Sequence, residues 1–141
     1  MAYALVVIGS GVAGLTTAHI AVEANLKTLV IDKGRRSGGR LSTRAALPFH
    51  FNHGAQKFTV TGLSFNGFCG VAEQEGVLRE LKIKEQQTTF TGNPDMHELA
   101  KLMGKGLKIK QSIKIACYRL KVANCMYITK KIHIGSTKIP K

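Results

Sequence analysis

At 141 residues and 44% hydrophobic, the chain is long enough for one domain with a buried core, and no long apolar run offers a membrane-spanning helix. Met1-Ala2-Tyr3 leads straight into an apolar segment, which leaves no room for a signal peptide. The net charge is +13, and the three cysteines (Cys69, Cys117, Cys125) form no Cys-x-x-Cys pair. That argues against a disulfide framework or a zinc site and for a reduced, cytoplasmic setting.

Ala4-Leu5-Val6-Val7-Ile8 reads as a strand buried on both faces. Gly9-Ser10-Gly11-Val12-Ala13-Gly14 follows at once. Gly9 permits the sharp turn out of the strand, Gly11 lets backbone approach a pyrophosphate, and Gly14 lets the next helix pack tightly on the sheet. From Val12 to Ala24 apolar residues recur at helical spacing, and Asn25 is a suitable stop. Lys27-Thr28-Leu29-Val30-Ile31 is a second buried strand, closed by Asp32. An acid there accepts the ribose hydroxyls of an adenosine that has no 2′-phosphate. Strand, glycine turn, helix, strand and acid in this order predict dinucleotide binding.

Residues 33–44 form a basic, glycine-containing loop, in which Arg40 is suited to bridge two phosphate oxygens. Ser42 and Thr43 offer hydroxyls beside it. Phe49 to His53 reads as a short strand. Its His-x-x-His pair then faces opposite ways, so no metal site is expected. Residues 61–70 read as a loop burying Phe65 and Phe68, and Val71 to Lys84 as a helix interrupted near Gly76. Asn93 is the expected cap of a helix with Pro94 in its first position, Met96, Leu99, Ala100, Leu102 and Met103 on its buried face, and His97 exposed. Gly104 or Gly106 ends it. Leu107 to Lys110 is a third parallel strand, Ile113 to Leu120 and Cys125 to Thr129 an antiparallel β-meander, and residues 132–135 a strand re-entering the sheet.

Gly38-Gly39-Arg40, His53-Gly54-Ala55-Gln56 and Gly92-Asn93-Pro94-Asp95-Met96, taken with the glycine turn, resemble the flavin-dependent amine oxidase superfamily, most closely its renalase-like FAD/NAD(P)-binding oxidoreductases. The likeness is dense over residues 4–60 and visible again over 92–115. Asn52 stands where the family usually has Asp, and Lys57 where an aromatic is usual. The resemblance implies a Rossmann-like α/β fold in three stretches: FAD-binding segments at 1–60, a shortened substrate-domain excursion at 61–91, and helix, third strand and meander at 92–141. It places Arg40 on the pyrophosphate, residues 53–56 beside the isoalloxazine, and the adenine near Ile115. The full cofactor set expected is Gly9, Ser10, Gly11, Val12, Ala13, Gly14, Asp32, Lys33, Gly39, Arg40, Leu41, Ser42, His53, Gly54, Ala55, Gln56 and Ile115. Residues 4–8 are expected between 27–31 and 107–110 in the parallel sheet.

The activity implied is FAD-dependent oxidation of a small substrate or of NAD(P)H, with hydride passing to the flavin. Relatives continue for about as long again, so the chain resembles an N-terminal segment, a truncated product or one part of a split protein whose C-terminal half is separately encoded. The alternative is a non-catalytic nucleotide-binding remnant. A third class, nucleic-acid binding, rests on residues 99–141, which hold eleven Lys and Arg and no acid. Those lysines alternate with Leu107, Ile109, Ile113 and Ile115, the pattern of strands with one wet face, and aromatic platforms are few, so no specific nucleic acid is expected.

Overall fold

The computed structural model describes residues 2–82 and 87–115, together with a two-residue strand at 134–135. The first unit has the expected order of elements, but its first strand is not buried on both faces: Val6 is 46% and Ile8 60% exposed. Strand β1 (Leu5–Ile8) runs into helix α1 (Val12–Glu23), and β2 (Thr28–Ile31) returns parallel to β1 with Val7 opposite Val30. Helix α1 buries Leu15, Ala18 and Ala21, three residues apart on one face. Asn25 ends it with φ 58°, while the Leu26 N–H donates to the Ala21 carbonyl and the Asn25 N–H to Val22, so the left-handed residue satisfies the last turn.

The strand order differs from expectation. β2 lies in the middle, between β1 and the later strand β8 (Ile109–Lys110), which pairs parallel to it with Val30 opposite Ile109. The central place goes to the strand that is buried along its length: Thr28, Leu29 and Val30 are all buried, whereas β1 alternates between half-buried and exposed. Both apolar runs look alike as sequence, so hydropathy does not order them.

Between β2 and β8 the chain builds two antiparallel layers. After a single 3-10 turn at Gly39–Leu41, strands β3 (Thr43–Ala46) and β4 (Phe49–Asn52) form a hairpin with Ala45 opposite His50. β5 (Phe58–Thr59), β6 (Leu78–Leu81) and β7 (Thr89–Gly92) make a sheet with β7 in the middle. Two expectations fail here. Residues 61–70 are not a loop: α2 runs from Leu63 to Gln74 and buries Cys69 and Ala72, three residues apart. Gly67 and Gly70 would meet nothing with an added Cβ, so the glycines that disguise this helix lie away from its packed face. The helix expected over 71–84 ends at Gln74; Gly76 turns the chain at φ 73°, and β6 follows with Leu78 buried and Arg79 and Glu80 exposed.

Helix α3 (Met96–Gly104) lies across the core with Met96, Leu99, Ala100 and Met103 buried. Its cap is Asp95 rather than Asn93: the Asp95 backbone is extended, and its carboxylate accepts from the His97 N–H at 2.8 Å. The Asn93 amide is used elsewhere, donating to the Gly76 carbonyl. His19 on α1 bonds the Met103 carbonyl at 2.7 Å and ties the two helices together. Residues 134–135 do not re-enter the parallel sheet but pair antiparallel, as β10 (Ile134–Gly135), with β9 (Lys114–Ile115). The remainder of the expected meander, with Cys117 and Cys125, lies outside the described residues. Cys69 is a buried free thiol, and burial pushes its pKa up.

Candidate dinucleotide site

The three glycine-bearing segments, far apart in sequence, meet at one place. Gly9 leaves β1 at φ 100°, a conformation that excludes ordinary side chains, and its N–H donates to the Ile31 carbonyl at 2.7 Å. A Cβ on Gly14 would fall on the Gly9 carbonyl, so the helix can sit this close only as glycine. Gly38 packs against the turn, its N–H donating to the Ser10 carbonyl at 2.8 Å, and forms a parallel bridge with Gly11. Gly39 is seated beside the Gly11 Cα. The Ala55 N–H donates to the Arg40 carbonyl at 2.7 Å, and a Cβ on Gly54 would strike that same carbonyl. Gln56 is fixed from behind, its carbonyl accepting from the Thr91 hydroxyl at 2.8 Å.

Gly11 differs from its neighbours. A Cβ there would meet nothing within 4 Å, so the turn faces open space. α1 starts at this point with no side chain capping it and no acid in its first turn. Its first N–H groups and the positive end of its dipole therefore face that space, the arrangement that suits a phosphate. Val12 and Ala13, in that first turn, are both exposed.

Asp32 stands at the end of β2. One carboxylate oxygen accepts from the Ser10 N–H and hydroxyl, both at 2.5 Å, and the other from the Gly34 N–H at 2.6 Å. Partial burial opposes its ionisation, but the Ser10 and Gly34 donors and the nearby Lys33 outweigh it, and the carboxyl is held below its ordinary range. Asp32 is thus a half-buried, ionised acceptor that also ties the glycine turn to β2. The segment after β8 flanks it: the Ile113 N–H donates to the Asp32 carbonyl and Ser112 to Gly34, both at 2.9 Å. Ile115, in β9, follows two residues later, half-buried.

The remaining expected residues divide. The Arg40 side chain is exposed and makes no ion pair among the described residues, while Leu41 is 5% exposed and belongs to the core. Lys33, His53 and Lys57 are exposed. The Ser42 hydroxyl turns back to the Gly39 carbonyl, and the Thr43 hydroxyl is buried, donating to Asn52 Oδ1 at 2.6 Å. Thr43 therefore serves the hairpin, not the turn.

The sequence did not announce a second polar cluster. His50 Nδ1 lies 2.7 Å from the buried Asp95 carboxylate, and Asn52 Oδ1 accepts from the Met96 N–H at 3.1 Å. The hairpin is thereby pinned to the start of α3. Burial opposes ionisation of Asp95, but the bonds from His50 and the His97 N–H outweigh it and hold its pKa below the usual carboxylate range. A carboxyl depressed in the folded state stabilises the fold fully above the unfolded pKa, and that stability is lost as pH falls through the folded value. Thermal melts should accordingly lose Tm below about pH 4. Asp95→Asn, which keeps a capping side chain, should flatten that acid limb, and Asp95→Ala should cost about 1 kcal/mol more through the lost cap. His97, expected to be exposed, is half-buried against Gly38. With His50 it lines a cleft of about 830 Å³ that none of the expected cofactor residues borders. The uncapped start of α1 opens at the glycine turn and not at this cleft. Among the described residues no three His, Cys, Asp or Glu converge as metal ligands, and no helix is long and apolar enough to cross a membrane.

Fold and turn together make a Rossmann-like α/β domain with a parallel sheet. Residues 7–69 match the family model of the NAD(P)-binding Rossmann-like domain. Among solved structures, THI4 of Thermovibrio ammonificans aligns over 89% of this chain and 44% of its own at 12% identity, with a TM-score of 0.57, a likeness of fold. Putrescine oxidase in complex with putrescine aligns over 56% of this chain and 17% of its own, at 22% identity and a TM-score of 0.42. The chain spans less than half the length of either.

Proposed function

We propose that this chain is the nucleotide-binding portion of an FAD-dependent oxidoreductase of the amine-oxidase, renalase-like type. The observation that carries the reading is that Gly38-Gly39 seat on the Gly9–Gly14 turn and Gly54-Ala55 on the Arg40 carbonyl, while Gly11 opens onto free space. In this reading the uncapped start of α1 and the Arg40 guanidinium hold the pyrophosphate, Asp32 accepts a ribose hydroxyl through the one lone pair that Ser10 and Gly34 leave free, and residues 53–56 lie along the flavin. FAD, when bound, supplies the redox chemistry, accepting hydride from a small substrate or from NAD(P)H. Lys57, exposed next to this segment, puts positive charge where a reduced ring gains negative charge, and the exposed His53 offers an imidazole to the same ring.

The test is optical and kinetic. The protein should bind FAD and quench its fluorescence. Arg40→Ala should weaken binding by about 10- to 100-fold, the loss of a charged hydrogen-bond pair, and the weakened binding should respond less to salt. Bleaching of the bound flavin by NADH, NADPH or an amine under anaerobic conditions would identify the donor.

A completing polypeptide, such as a separately encoded C-terminal half, belongs to the same proposal. β1 is an edge of the parallel sheet among the described strands, with Val6 46% and Ile8 60% exposed. α1 is apolar around its circumference, with Ile20 62% exposed, a composition suited to burial on both sides. The same exposed faces favour, as a second reading, a non-catalytic nucleotide-binding module. Bound FAD that no donor reduces, even after the completing half is added, would select it.

A further inference from the structure

We propose that the cleft between α3 and the loop following β2 is a second binding site, for a small phosphate ester with an apolar body. The inference does not depend on which dinucleotide occupies the glycine turn. The two places are separated by the buried Gly38, whose N–H donates to Ser10 on one side and where an added Cβ would meet Ala100 and His97 on the other.

The cleft measures about 830 Å³, within the range of small-molecule sites. Its floor is apolar, formed by Val77, Ala100, Leu102 and Ile109, and its rim is cationic. Two acids reach it, and both have partners within the protein. Asp95 accepts from His50 and from the His97 N–H, and Glu98 accepts from Lys101 at 2.5 Å. Arg36 and Lys105 remain on the rim with no acid bonded to either among the described residues. Burial, then Lys101 and Arg36, hold His97 below the usual imidazole range against the opposing pull of Asp95 and Glu98. Arg36 and Lys105 both border the cleft without a bonded acid, and a guanidinium or an ammonium over an apolar lining suits a phosphate that carries an apolar body. His50 is held in one orientation by the buried Asp95, so one imidazole of the site is fixed before any ligand arrives.

The experiment follows the imidazole resonances of His97 and His50 by NMR during titration of the whole chain with inorganic phosphate, phenyl phosphate and, as a non-phosphate dianion, succinate. Both phosphates should shift His97 saturably, phenyl phosphate at lower concentration because of its ring. Arg36 and Lys105 are exposed, so the double variant Arg36→Ala/Lys105→Ala should melt as the parent does. Its apparent dissociation constant for phenyl phosphate should rise by about tenfold or more, as for loss of a charged contact. Saturating FAD should leave the shift in place. Absence of a saturable shift, an unchanged response in the double variant, succinate acting as well as phosphate, or displacement by FAD would each overturn the proposal.

Discussion

Gly11→Val is expected to lower FAD affinity by at least about a hundredfold while the circular dichroism spectrum and melting temperature stay those of the parent. The fold tolerates the change because a Cβ at this position meets nothing within 4 Å, and the Gly11 backbone, at φ −75°, is one that valine adopts. The binding loss is steric. The added carbons occupy the space onto which the first N–H groups of α1 open, and overlap there costs about 3 kcal/mol or more. A variant that lost its fold would show that position 11 is structural, contrary to the open space around it.

Gly14→Ala should do the reverse. Its Cβ would land on the Gly9 carbonyl and crowd a Val7 methyl, and both neighbours belong to the backbone and core of the β1–α1 unit. Helix and strand must separate, at a cost of about 3 kcal/mol or more, a large part of a domain's usual stability of roughly 5–15 kcal/mol. Denaturant melts should show the shift directly, with FAD binding lost in proportion to unfolding. One motif thus holds two glycines with opposite phenotypes, one kept for the ligand and the other for packing.

The β1–α1–β2 unit was legible because its signals are local and agree. An apolar run, a glycine turn, a helical period and a left-handed Asn25 stop all lie within 32 residues, and each is found in place. The order of strands was not legible. β1 and β2 are both apolar runs, and only β8, some eighty residues on, decides which of them is central. α2 was hidden by Gly67 and Gly70, whose propensity cost is overridden by burial of Cys69 and Ala72. Within the site, the glycines announced themselves through spacing, and their convergence with Gly54 needed the fold. Asp32 carried more than the sequence suggested, since it also binds the turn through Ser10 and Gly34. The His50–Asp95 pair spans 45 residues and has no motif, so no pattern in the chain could have joined the two.

The most direct measurement is a titration of FAD with the folded protein, followed by flavin fluorescence, with ADP as competitor. Saturable quenching that ADP reverses, and that Gly11→Val abolishes without loss of fold, is the predicted result. Unchanged flavin fluorescence in the presence of folded protein, or quenching that Gly11→Val leaves intact, would contradict the assignment of the glycine turn as a dinucleotide site.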